Sequence, residues 1–468
     1  VKRVAIAACL ALTAIPALAA DEPWSESNIG DSLTFDQALA MSRTDLQGLI
    51  DRGRKLFVAK FTVADGAGRP KATQAIVPTL RKRGENARFQ RTGGPDSNSC
   101  AGCHNDPVPG GAGDFVANVF VSEGFESADF DSIDPQFSNE RNTNSITGDG
   151  LVELLAREMT ADLHAERADA VKRARQSGQD VTVSLTSKGV SYGTLTARPD
   201  GVVDISHFEG IDSDLVVRPF SQKGVFSSLR QFTINAMNQH HGIEAVERWG
   251  RRWTGTDDFD QDNKPNEMRE GDISAVTLWQ ATLAPPTVRT DISDDWRRAA
   301  SLGEKVFTDL GCTACHRPSL PLTSVVFTDP GPLDAAGTLR ASDVAEPIAV
   351  DLSTRDWGKT LKRNDKGEWL VPLFGDLKRH VIVDEGVSDL GNEIMGQRFV
   401  ERDQFMTAEL WGIGSTAPYG HRGDFTTLDG IIRAHGGEGR AARNAYVKAS
   451  DETRSDLIAF LKTLVIAQ

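Results

Sequence analysis

The chain has 468 residues, 39% hydrophobic and 25% charged, with a formal net charge of −14. That composition excludes a disordered or fibrous protein and leaves room for two or three domains with cores of their own. The acidic balance argues against nucleic acid and suits a basic or weakly charged soluble partner.

The opening stretch, VKRVAIAACLALTAIPALAA, combines basic Lys2 and Arg3, an apolar run from Val4 to Ile15, and Ala17 and Ala19 in A-x-A register. It reads as a signal peptide over 1–20, cleaved near Ala19 or Ala20, which predicts a periplasmic chain. The apolar run is shorter than the roughly 20 residues of a membrane span, and none is expected once the leader is removed. Residues 21–48 read as an N-terminal arm and 49–175 as a first domain. That domain closes on a helix in which Leu151, Leu154, Leu155, Met159 and Leu163 recur at helical spacing.

The next stretch, 176–292, reads as an insertion and connector. Residues 179–205 alternate β-branched and polar side chains around Lys188-Gly189 and Asp200-Gly201, which predicts a small hairpin. Helix returns over 219–283, and Pro285-Pro286 marks a boundary. Within it, DDFDQDNKPNE places Asp258, Asp260 and Asp262 in a D-x-D-x-D pattern. Asn263 and Arg269 stand where an EF-hand needs Gly and Glu, so a shortened calcium loop and a solvated acidic turn both stay open. A second domain over 293–468 ends on a helix capped by Ser450, with Leu457, Ile458, Phe460, Leu461 and Leu464 as its apolar stripe.

Cys9 lies in the leader, and the other four cysteines fall in CAGCH and CTACH: Cys100, Cys103 and His104, then Cys312, Cys315 and His316. C-x-x-C-H attaches a c-type haem: two thiols form thioethers and the next imidazole takes the iron. Disulfide and zinc readings lose to this spacing. DRGRKLF (51–57) and SLGEKVF (301–307) share G-x-K-hydrophobic-F ahead of each motif, a weak repeat that supports two haem halves. The expected fold is mainly α, with two cytochrome c-like haem domains and a small β-hairpin insertion between them.

LWGIGSTAPYGHRGDFTTLDGIIRAHGG (410–437), ERNTN (140–144) and VRPFSQKGVFSSLRQFTINAMNQHHG (217–242) resemble the bacterial di-haem cytochrome c peroxidases, and among them the di-haem oxidoreductase family. The resemblance implies a calcium ion between the haems, held by Asn142 and the carbonyls of Thr416 and Pro418. It implies that His421 bonds a propionate or backbone, and that His435 stands where the peroxidases place the distal ligand of the second haem. His380, Met395 and Met406 are the alternatives. At the first haem the family's removable distal histidine is missing, since position 120 is Phe, and an open iron follows. Peroxide cleavage there needs a distal base. Glu153 is the candidate, with Glu158, His240 and His241 behind it. Trp411 is a candidate relay between haems.

The implied activity is a periplasmic di-haem oxidoreductase that reduces hydrogen peroxide at the open first haem. Electrons would enter through a six-coordinate second haem from a small soluble cytochrome c or cupredoxin. The alternatives are an oxidase or oxygenase acting on an organic or protein substrate, and a pure electron carrier in which His240, His241 or His164 completes the first site.

Overall fold

The computed structural model describes residues 24–68, 71–72, 77–80, 98–118, 140–335, 337–393, 397 and 400–467. The expected leader, Phe120 and Met395 lie outside the described residues. Among the described residues helix is the predominant regular structure. In chain order the helices are α1 (Phe35–Val58), α2 (Asp149–Ser177), α3 (Leu229–Ala236), α4 (Val246–Trp249), α5 (Arg251–Thr254), α6 (Glu270–Ala281), α7 (Asp294–Asp309), α8 (Leu428–Arg433), α9 (Arg440–Lys448) and α10 (Asp451–Leu461). Small antiparallel sheets fill the connections. Among the described residues no helix is long and apolar enough to cross a membrane.

Two helix crossings organise the molecule, and each turns on a glycine of the sequence repeat. In α1, a capping box between Thr34 and Gln37 starts the helix, and Leu49, Ile50, Gly53, Leu56 and Phe57 are buried. A Cβ on Gly53 would sit 1.9 Å from the Ala275 carbonyl of α6, so only a bare backbone allows the approach. A Cβ on Gly303 of α7 would likewise sit 2.0 Å from the Asp456 carbonyl of α10. The equivalence extends along the partners: Trp279 and Phe460 pack beside the two glycines, each followed by Thr-Leu at 282–283 and 463–464. α6 lies beyond residue 175, inside the stretch read as a connector. The first motif's helix therefore finds its partner more than two hundred residues downstream.

The hairpin forms where alternation and turn chemistry place it. Strands β1 (Val116–Asn118) and β2 (Glu140–Asn142) pair near the first motif, and β3 (Val181–Ser187), β4 (Val190–Ala197) and β5 (Val203–Asp204) make a three-stranded sheet. Lys188 and Gly189 both have positive φ, 50° and 80°, as a two-residue turn of type I′ requires. Leu185, Val190, Tyr192, Leu195 and Ala197 are fully or almost fully buried, with the sheet packed on α2.

Behind α3 lies a buried charge network. Arg230 is 1% exposed; its Nε donates to Glu247 at 3.0 Å, and its Nη1 donates to Asp329 at 2.7 Å and Ser274 at 3.0 Å. Asp334 accepts from the Ser228 hydroxyl and from the Gly331 N–H. Burial first, then the neighbouring Glu153 charge, pushes Asp334 up to about 7. From this anchored start α3 runs into a π-helical turn, Met237–His241, ended by Gly242 at φ 67°.

Gly303→Ala is expected to destabilise the protein by about 1–3 kcal/mol, the range for forcing a methyl into a packed contact, read as a lower urea midpoint at unchanged slope. A second expectation concerns pH. A carboxyl raised in the folded state contributes stability below its unfolded value, about 3.9, that is lost as pH rises through its folded value. Stability should therefore fall between about pH 4 and 7, and Asp334→Asn should flatten that slope in urea melts; an unaltered slope would assign it to another group.

Candidate haem centres

Each C-x-x-C-H segment forms a single 3₁₀ turn against the helix that carries its repeat glycine, Cys100–Gly102 on α1 and Cys312–Ala314 on α7. The His104 N–H donates to the Cys100 carbonyl and the His316 N–H to the Cys312 carbonyl, both at 3.0 Å. Two thiols and one imidazole thus project from one tight turn. The repeat phenylalanines wedge behind the histidines. Phe57 lies 4.5 Å from the Trp279 ring and 6.2 Å from His104, and Phe307 lies 5.7 Å from Phe460 and 6.4 Å from His316.

Backbone carbonyls set the tautomers. Nδ1 of His104 is 2.9 Å from the Asn144 oxygen, Nδ1 of His316 is 3.3 Å from that of Phe374, and Nδ1 of His435 is 2.8 Å from that of Ile431. With Nδ1 donating to a carbonyl, the Nε2 lone pair is left to face a metal. Burial lowers His104 and His316 to about 4 and depresses His435 as well, so all three are neutral imidazoles. Burial also pushes the Cys100 thiol up to about 12 and Cys312 to about 11, which disfavours a thiolate metal site.

Both motifs open into one cavity of about 910 Å³, lined also by His240, His421, His435, Asp149, Glu409 and Trp411. The His316 and His435 rings face each other across it with centroids 6.4 Å apart. Two imidazoles bound on opposite faces of one metal, with metal–nitrogen bonds of about 2.0 Å, have centroids roughly 6 Å apart. The donors present therefore fit haem iron at both motifs, and His435 fits the second axial position at His316.

The alternatives fare differently. His380 has both nitrogens engaged, Nε2 at 2.9 Å from Asp376 and Nδ1 at 2.7 Å from Glu438. Burial alone would depress it, but Asp376 and Cys315 outweigh burial and push it up to about 11. With a carboxylate on each ring nitrogen, neither nitrogen is left to face iron. Met406 lines the cavity but is packed against Gly224. His421 stacks on Phe405 at 4.4 Å, and its carbonyl accepts the Asn142 N–H. Burial, then Arg141, Lys223 and Arg422, lowers His421 to about 3.

Glu153, expected as the distal base, is not among the cavity's lining residues. It is 1% exposed, accepts from Arg157 Nε at 3.0 Å, and accepts the Leu229 N–H at 2.7 Å, so it caps the start of α3. Glu158 clamps the hairpin through Lys188 at 2.6 Å. His164 bonds the Asp214 carbonyl away from the cavity. The π-turn instead brings in its histidine pair. His241 Nε2 is 3.5 Å from Cys100 Sγ. His240 lines the cavity within electrostatic reach of His104, and burial lowers it to about 4.

Asn142, Thr416 and Pro418 line the same cavity. The Asn142 amide is 2.5 Å from the Pro418 carbonyl, while its Oδ1 is buried with no hydrogen-bond partner. Amide oxygen and nitrogen are interchangeable in assignment; the exchanged rotamer sets two oxygens side by side, a pair that fits a hard cation. Sequence reasoning missed Asp149 and Glu409. Both line the cavity, where burial and their mutual charge raise Asp149, and burial together with Asp376 pushes Glu409 up to about 7. A Cβ on Gly148 would sit 2.5 Å from the Trp411 ring, which fixes that indole in the cavity wall.

The family described as "Di-haem oxidoreductase, putative peroxidase" matches residues 358–464. Cytochrome-c peroxidase IdrP2 of Denitromonas iodatirespirans is 23% identical over 373 residues, 78% of this chain and 76% of the relative. Among solved structures, a Kuenenia stuttgartiensis hydrazine synthase pressurized with xenon aligns over 99% of each chain at 13% identity, with a TM-score of 0.37. A MauG-like protein associated with microbial copper homeostasis aligns over 58% of this chain and 78% of its own, at 18% identity and a TM-score of 0.29. The matched segment carries His380, Trp411, His421 and His435, and over it the chain is similar to a family of di-haem oxidoreductase enzymes.

Proposed function

We propose that the chain is a periplasmic peroxidase with two covalently attached c haems, one at Cys100, Cys103 and His104 and one at Cys312, Cys315 and His316. Hydrogen peroxide takes up two electrons and two protons on the His104 side and leaves as two waters. Electrons come from a small soluble cytochrome c or cupredoxin that docks on the His316 side. Each haem unit is closed by its own helix pair, α1 with α6 and α7 with α10, and calcium sits at Asn142, Thr416 and Pro418.

The observation that carries this reading is an asymmetry within one cavity. His316 has an imidazole facing it at 6.4 Å, and among the described residues no imidazole is paired with His104 at such a distance. Bound haem supplies the redox chemistry. The chain's own contribution on the His104 side is a neutral ligand oriented by the Asn144 carbonyl and a proton-transfer group beside the reacting atoms. With Glu153 capping α3, His240 takes that role, because burial keeps it neutral with a lone pair to accept a proton and it borders the same cavity.

A second reading has one observation in its favour. The same His240, in electrostatic reach of His104, could complete that iron and leave a pure electron carrier. An EPR spectrum of the oxidised protein separates the two. One high-spin and one low-spin haem, with carbon monoxide binding on reduction, is the expected result; two low-spin haems and no carbon monoxide binding would establish the carrier. For the peroxidase, His240→Gln should lower peroxide turnover by roughly 10²-fold or more, while Glu153→Gln acts mainly on stability. His435→Met should replace the low-spin spectrum of the second haem and raise its potential; an unchanged spectrum would remove His435 from the iron.

A further inference from the structure

A separate group of acids lies at the start of α6, outside the residues that line the haem cavity. Glu244, Asp260 and Glu267 are 5%, 0% and 2% exposed, and one carboxylate oxygen from each lies within 4.8 Å of the other two. Asp260 also belongs to a second such trio with Asp258 and Asp262, the D-x-D-x-D run of the sequence. Asp260 is thus shared between two neighbouring groups of carboxylates. Buried carboxylates are compensated by cations or coordinate metals, because an uncompensated charge in low dielectric costs several kcal/mol.

Glu267 offers an open oxygen to the group. Its Oε2 accepts the Glu244 N–H at 2.5 Å, and its Oε1 is buried with no hydrogen-bond partner. Burial first, then the charges of Glu244, Asp260 and Asp262, raise Glu267 well above the usual carboxylate range. Gly66, at φ +98°, passes so close that a Cβ would sit 2.4 Å from the Glu267 carboxyl carbon, which pins that side chain against the group. All the donors are oxygen, the preference of a hard cation. A cage built from several protein carboxylates suits calcium, whereas magnesium keeps most of its waters and takes one or two carboxylates.

We propose that Glu244, Asp260 and Glu267, extended by Asp258 and Asp262, form a calcium site distinct from both haem motifs and from Asn142. The ion ties together three segments: the loop at Gly66 after α1, Glu244 just after the π-turn, and the entry to α6. Ala245 already bridges to Met268 there, so the ion fixes the π-turn against the α1–α6 pair. It is a structural ion for the wall that carries His240. The proposal does not depend on peroxidase activity.

The test uses the full haem-loaded chain in an Asn142→Ala background, which removes the other candidate calcium position. Desalted protein should retain one calcium by elemental analysis, lose it to a chelator, and regain thermal stability on addition of calcium chloride alone. The expected rise is about 5 °C at calcium a hundredfold above Kd. Adding Glu267→Gln should abolish both the retained ion and the rise. If that variant does not fold, Asp262→Asn, at the half-exposed margin, should weaken calcium binding about tenfold by calorimetry. No retained calcium, or equal affinity in the variants, would overturn the site. So would a Glu267→Gln protein that melts higher without calcium and ignores the ion, since that outcome means shared protons hold the acids together.

Discussion

The contact on which the rest of the structure depends is the approach of a bare glycine backbone to a helix carbonyl, made once at Gly53 and once at Gly303. Close approach of α1 to α6, and of α7 to α10, lets a single phenylalanine fill the angle between helix and haem turn. The wedge sets where the imidazole stands, and the next backbone carbonyl sets which nitrogen it presents. A side chain of even one carbon at either glycine would push the helices apart, and the displacement would be felt at the neighbouring histidine.

Between the two crossings a buried charge network runs through a continuous apolar core. Arg230 draws on Glu247 from α4, Asp329 from a strand of the second half, and Ser274 and the Glu270 carbonyl from α6. Such a network contributes little net stability against an apolar substitute, yet loss of one member is costly because the remaining charges are stranded in low dielectric. Its value here is positional. It fixes the first turn of α3, which Glu153 caps from α2, and α3 in turn delivers the π-turn to the cavity.

The features legible in the sequence are those whose chemistry is local. Thioether attachment needs two thiols and an imidazole within five residues, so both haem motifs stand out; the hairpin shows through alternation and a Lys-Gly turn. The partner of α1 was not legible, because α6 is buried all round and carries no amphipathic stripe. Only the shared aromatic-x-x-Thr-Leu at 279–283 and 460–464 marks it as the counterpart of α10. Glu153 shows the same limit from the other side. Its helical position made it a fair distal base, but the N–H that claims it comes from Leu229, 76 residues away. Asp149 and Glu409 became neighbours only through the tertiary fold.

The π-turn at 237–241 carries an evolutionary implication. A π-turn is an α-helix that has accommodated one extra residue, and the insertion rotates everything after it by about 100° around the helix axis. Here the displaced turn places two adjacent histidines so that one meets Cys100 and the other faces the cavity. What borders the first haem pocket is thus set by chain length as much as by residue identity. A relative lacking one residue in α3 would turn a different side chain inward with no substitution at all, so this helix offers a route by which neighbouring proteins of one architecture come to differ in the chemistry they perform.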